Sequence, residues 1–112
     1  MKIKEKIENH VAVLTLNGKM MGGPETQAVH DHIKSLIADG IKNVVIDLGD
    51  VKWMNSSGMG VLMASMTTLN NAEGKLALAR VTEKVESLLI ITQLIKVFTT
   101  FETVERAVSS FS

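Results

Sequence analysis

The sequence predicts a single α/β domain built on a mixed sheet of roughly four or five strands with about four helices. Three observations lead there. Two strand-like segments, residues 3–8 and 10–16, follow one another at the N-terminus. From Pro24 onward helical and strand-like patterns alternate. The chain has 112 residues, 46% of them hydrophobic, which suits one core and leaves little room for a second, so residues 1–112 read as one domain.

In the second segment Val11, Val13 and Thr15 alternate with Ala12, Leu14 and Leu16, so both faces are largely apolar, as in a strand covered on both sides. Asn17-Gly18 and Gly22-Gly23-Pro24 are turn signals. Pro24 suits the first position of a helix, with Glu25 at its positive end; Val29, Ile33, Leu36 and Ile37 share a face, and Gly40 is a stop. Asn43–Leu48 follows as a buried strand. Val61, Leu62, Ala64, Met66 and Leu69 suit a second helix, ended by Asn70-Asn71 and Gly74, and Lys75–Ala79 reads as another strand. Thr82 is placed to cap a third helix that buries Val85, Leu88 and Leu89. Lys96-Val97-Phe98 is the candidate last strand. Thr99 and Glu102 have capping-box spacing ahead of a C-terminal helix carrying Val104, Ala107, Val108 and Phe111.

Composition removes several function classes. With no cysteine, disulfides and thiolate metal sites are impossible. Twelve basic and twelve acidic residues cancel, and no basic block is present, so direct nucleic-acid binding is not expected. No apolar run approaches the ~18–20 residues of a transmembrane segment. The opening Met1-Lys2-Ile3-Lys4-Glu5-Lys6 lacks the apolar core of a signal peptide, and the expectation is a cytosolic protein.

The most informative stretch is Asn55-Ser56-Ser57-Gly58-Met59-Gly60, between the Asn43–Leu48 strand and the second helix. It sets two hydroxyls at a helix start, where backbone N–H groups are unpaired and the macrodipole is positive. Such a position accepts an anion, so a serine there can carry a phosphate without disrupting the helix. The turn also leaves the carboxyl end of a strand, where open α/β sheets place their sites. A serine pair before glycine is more often a plain helix cap than a functional site, and spacing alone favours the cap.

The run Val45-Ile46-Asp47-Leu48-Gly49-Asp50-Val51-Lys52-Trp53-Met54-Asn55-Ser56-Ser57-Gly58-Met59-Gly60-Val61-Leu62 closely resembles the signature of STAS domains, the bacterial anti-sigma factor antagonists. The usual pattern is an apolar strand ending in Asp-Leu, then an aromatic, Met, Asp-Ser-Ser-Gly, an apolar residue and Gly. The similarity covers nearly the whole chain. It implies a partner switch without catalytic activity of its own. The unphosphorylated form binds an anti-sigma factor that is also a serine kinase, and so releases a sigma factor. The kinase phosphorylates a serine of the turn, and a metal-dependent PP2C-type phosphatase reverses this. The family's acceptor corresponds to Ser56, with Ser57 the second choice. The partner-binding set is Asn55, Ser56, Ser57, Gly58 and Met59 with Met21, Gly22 and Gly23 of the preceding loop, and Asp47 lies at the strand end feeding it. Asn55 departs from the usual Asp and removes one negative charge beside the acceptor. A STAS module without the switch, binding a small ligand or scaffolding a signalling or transport assembly, is the alternative.

Other chemistries fit less well. There is no Gly-x-Ser-x-Gly, and nothing places His10, His30 or His32 as a base for a nucleophilic serine. His30 and His32 are two apart on a helix, so they do not share a face as a metal pair would. Gly58-x-Gly60 fails as a dinucleotide loop because Met63 stands at its third position. No cofactor is expected. Met20, Met21, Met54 and Met59 cluster in sequence around the two loops, and part of that cluster is expected to face a partner. Trp53 is expected beneath the turn, with an exposed anchor for a partner as the alternative.

Overall fold

Lys2–Glu8 (β1) and Val11–Met20 (β2) form an antiparallel hairpin closed by the pair Glu8 and Val11. Asn9 and His10 make its two-residue turn with φ of 52° and 64°, the double positive φ whose twist matches that of the strands. The computed structural model describes residues 1–112, and α1 (Gly23–Ala38), β3 (Asn43–Met54), α2 (Ser56–Asn71), β4 (Lys75–Ala79), α3 (Glu83–Ile91), β5 (Thr99–Phe101) and α4 (Val104–Ser109) follow the hairpin.

The five strands lie in the order β1-β2-β3-β4-β5, and every pairing after the hairpin is parallel. Alternation along β3 explains the layers. Val44, Ile46 and Leu48 join the larger core, which also holds Val29 and Ile33 of α1, Leu62 and Leu69 of α2, and Val85 and Leu89 of α3. Val45 faces the other way and packs with Val11, Val13, Ala77 and Ala79 under Ala107 and Val108 of α4. Three helices therefore cover one face and α4 covers the other, which is why the central strands are apolar on both sides. Each fully buried leucine favours this arrangement by about 1.5–3 kcal/mol. No helix is long and apolar enough to cross a membrane.

Several expectations move. β2 does not end at Leu16: it runs on to Met20, and Asn17-Gly18 marks irregularities in its pairing with β3 rather than a turn. β3 likewise continues to Met54, because its second half pairs with this extension of β2. Pro24 is the second residue of α1, after Gly23. Lys96-Val97-Phe98 is not a strand. The N–H groups of Val97 and Phe98 both turn back to the Leu94 carbonyl, and Phe98 drops into the core. The strand is Thr99–Phe101, paired with Ala77–Ala79, so Thr99 is not a cap. Thr103 caps α4 instead, its Oγ1 accepting the Arg106 N–H at 3.1 Å.

Candidate functional site

The extended β2–β3 pairing sets the geometry of the serine turn. It ends with Met20 beside Met54, so the chain leaves both strands at one edge, into the Met21–Gly23 loop and the Asn55 turn. The Asn55 N–H donates to the Met20 carbonyl at 3.2 Å, continuing the ladder by one residue. Asn55 itself is extended, at φ −110° and ψ −175°, and is the N-cap of α2. Its Oδ1 accepts the Gly58 N–H at 2.9 Å, while its Nδ2 donates to the Met21 carbonyl at 3.0 Å.

Asn55, not either serine, is the cap. Ser56 and Ser57 occupy the first two helical positions, and both are exposed. The first turn of α2 holds no acidic residue, whereas Glu25 in α1, Glu83 and Glu86 in α3, and Glu105 in α4 occupy that place. The positive end of α2 is thus left to two hydroxyls. From Trp53 through Ala72, and from Met20 through Pro24, the sequence carries no charged side chain. The exposed residues of α2 (Ser56, Ser57, Gly60, Thr67, Asn70 and Asn71) are all neutral.

The facing loop is defined as well. Gly22 caps α1 with φ +98°, a conformation natural to glycine, and its N–H donates to Thr26 Oγ1 at 2.9 Å. The Thr26 hydroxyl returns the bond to the Gly22 carbonyl at 3.0 Å. A Cβ on Gly22 would lie 3.2 Å from the Ser57 Cβ, so loop and helix head meet there.

The structure brings Met21, Gly22, Gly23, Asn55, Ser56 and Ser57 to one edge. It does not bring the rest. Met59 is 2% exposed and belongs to the larger core, so its side chain is not available to a partner. Gly58 is buried too; a side chain there would overlap the Met20 carbonyl, which makes it a close-approach residue. Of the four clustered methionines, Met20 is fully buried, Met54 is half-buried, and Met21, 51% exposed, is the one that faces outward. Asp47 is not a strand end. It sits inside β3 opposite Thr15 and Ala79, 4% exposed, and its Oδ1 and Oδ2 accept from Arg80 Nε at 2.8 Å and Nη2 at 3.0 Å.

Trp53 is not packed beneath the turn. The residue is 49% exposed, with Lys84 Nζ 3.3 Å from the ring centroid. The pair lines an open cavity of about 730 Å³ with Asn17, Asp50, Lys52 and Glu83. Sequence reasoning missed Arg80 and this cavity. The usable signal for Arg80 was position, since it lies just beyond the carboxyl end of β4; the cavity forms against the second half of β3, which was not expected to be a strand. The histidines of α1 diverge: His30 Nε2 meets Thr68 Oγ1 of α2 at 2.8 Å, and His32 Nε2 meets Glu5 of β1 at 2.6 Å. Loss of water around the ring, and then the charge of Lys34, push the His30 pKa below its ordinary 6.5. No three metal-ligating side chains converge.

Comparison with known proteins fits this architecture. The STAS domain family model matches residues 2–107. Among solved structures, the anti-sigma factor antagonist SpoIIAA in its unphosphorylated form superposes with a TM-score of 0.83 at 17% identity, over 98% of this chain and 96% of that one. The phosphorylated form of the Bacillus protein gives 0.77 at 17% identity, over 99% and 100%. An anti-sigma factor antagonist from Mycobacterium paratuberculosis gives 0.82 at 23% identity, over 97% and 92%. A sulfate transporter family protein from Wolinella succinogenes gives 0.72 at 18% identity, over 94% and 87%. At these identities the likeness is one of fold. No curated protein matches the sequence.

Proposed function

The chain belongs to the STAS domain family, and from that premise we propose that it is a cytosolic anti-sigma factor antagonist working as a phosphorylation-controlled partner switch. In its unphosphorylated form it binds an anti-sigma factor that is also a serine kinase, and a sigma factor is released. Phosphorylation at Ser56 blocks binding, and a PP2C-type phosphatase restores it. The protein acts as a substrate and ligand of these enzymes and catalyses nothing itself.

The observation that carries this reading is the placement of Ser56. It is exposed at the first position of a helix whose first turn holds no carboxylate, within the stretch Trp53–Ala72 that carries no charged side chain. The helix end accommodates a phosphate, so the fold persists in both states. The surface around it does not stay the same. A phosphate adds roughly −1.5 to −2 charges and three acceptor oxygens, which a partner fitted to a neutral face must desolvate or repel. A coupling of about 3 kcal/mol lowers affinity by about a hundredfold. Met21, beside the turn, supplies an apolar anchor for the unphosphorylated complex.

Incubation with the cognate serine kinase and ATP, followed by phosphopeptide mapping, tests the assignment. Phosphate on Ser56 is expected; phosphate only on Ser57 or elsewhere overturns it. The second reading, a STAS module without phosphate control, is favoured by Asn55 where the family resemblance has Asp. The cavity beside Trp53 gives that module room for a small ligand. Phosphate transfer to the turn by the kinase excludes it.

A further inference from the structure

We infer that Asn55 is a positioning residue that locks the Met21–Gly23 loop to the head of α2, and that its amide, where a carboxylate would fail, makes the lock. An asparagine side chain has one acceptor oxygen and one donor nitrogen, and both are used here. The oxygen takes the Gly58 N–H and the nitrogen gives to the Met21 carbonyl, at 2.9 and 3.0 Å. Only this orientation works. Turning the amide over would set N–H against N–H at Gly58 and oxygen against oxygen at Met21.

An aspartate at this position keeps half of the arrangement. Its carboxylate still accepts from Gly58 and suits the positive helix end better than an amide does. It has no donor for Met21 and faces that carbonyl oxygen to oxygen. Gly22 and Gly23 follow one another with φ of +98° and +78°, a pair costly to order; Thr26 holds Gly22 to α1, and the Asn55 amide ties Met21 to the head of α2. With the tie, Met21, Ser56 and Ser57 form one preformed surface. Preformation lowers the ordering cost that a partner would otherwise meet on binding. This last step rests on the partner-switch reading; the lock itself does not.

Backbone ¹⁵N relaxation on the free protein tests it with no kinase present, so the result is independent of whether Ser56 is phosphorylated. In the unmodified protein Met21, Gly22 and Gly23 are expected to show order parameters near the rigid value of about 0.85. Asn55→Asp keeps a cap and has no donor, and Asn55→Ser keeps a cap but its one short hydroxyl does not span from Gly58 to the Met21 carbonyl. Both should let Met21 fall toward about 0.6, while Gly22, held by Thr26, and residues 58–62 stay rigid and the melting temperature of Asn55→Asp does not fall. The neutral serine variant separates loss of the tie to Met21 from gain of charge. Unchanged loop order in both variants, or loosening in Asn55→Asp alone, overturns the inference.

Discussion

Arg80 lies across Gly49 and holds the buried carboxylate of Asp47 at two points, 2.8 Å from Nε and 3.0 Å from Nη2. Asp50 adds a longer contact at 3.6 Å. The link joins the end of β4 to the middle of β3, where Asp47 also accepts the Gly49 N–H at 3.0 Å. It steadies β3 just before the half that runs alone with β2 toward Asn55. Arg80→Met leaves a carboxylate without its cation, a situation more costly than loss of a surface pair. Because Arg80 is partly open to water, the expected loss in denaturant unfolding is about 1–3 kcal/mol. Gly49→Ala should lower stability too, since its Cβ would overlap the guanidinium. The combination of Asp47→Asn with Arg80→Met should lose less than the sum of the two changes. Strict additivity would show that the pair is not coupled.

The two glycines of the turn should respond in opposite directions. Gly58→Ala forces a methyl into the Met20 carbonyl and should destabilise by about 1–3 kcal/mol. Gly60 is exposed, and nothing lies within 4 Å of the position its Cβ would take. Gly60→Ala should therefore stabilise by roughly 0.5–1 kcal/mol through helix propensity alone. Equal destabilisation by both would mean that α2 is seated differently on β2.

His30 connects α1 to α2 through Thr68, and its lowered pKa makes that contact dependent on acid. Protonation is favoured in the unfolded chain over the folded one. The stabilising contribution is therefore complete above the ordinary value of 6.5 and is lost as pH falls through the lower folded value. Asp31 opposes the shift and Lys34 supports it. An NMR titration should place the His30 midpoint below 6.5 and move it upward in Lys34→Met. Stability should decline less on acidification in His30→Gln than in the unmodified protein. A midpoint at or above 6.5 would contradict this.

Trp53 is the sole tryptophan, so its fluorescence reports on the cavity beside Lys84. An exposed cation over an aromatic ring contributes about 0.5–1 kcal/mol. Lys84→Met should cost no more than that and should change the emission of Trp53. Emission indistinguishable from the parent protein would place the ammonium away from the ring.

The order of the elements was legible because β2 and β3 are apolar on both faces and Val29, Ile33 and Leu36 share a helical stripe. The lengths of β2 and β3 were not legible. Their second halves, Asn17–Met20 and Gly49–Met54, contain glycines and charges, and only pairing with each other makes them strands. The same gap hid the meeting of the Met21–Gly23 loop with the serine turn. Met59 and Trp53 were misplaced for a related reason. A residue's side of a helix or strand depends on its phase, and the phase is set by Asn55 capping α2 and by the irregular β2–β3 pairing. Arg80 gave no local signal, since its partner Asp47 is far away in sequence and close only across the sheet.

The proposed switch requires that phosphate on Ser56 separate this protein from a serine kinase while leaving the fold intact. The most direct measurement is the equilibrium affinity of the purified serine kinase for the unphosphorylated protein and for the protein phosphorylated at Ser56, both shown to be folded by NMR. The account predicts about a hundredfold weaker binding after phosphorylation, with Ser56→Ala retaining the affinity of the unphosphorylated form. Equal affinities for the two forms would contradict it.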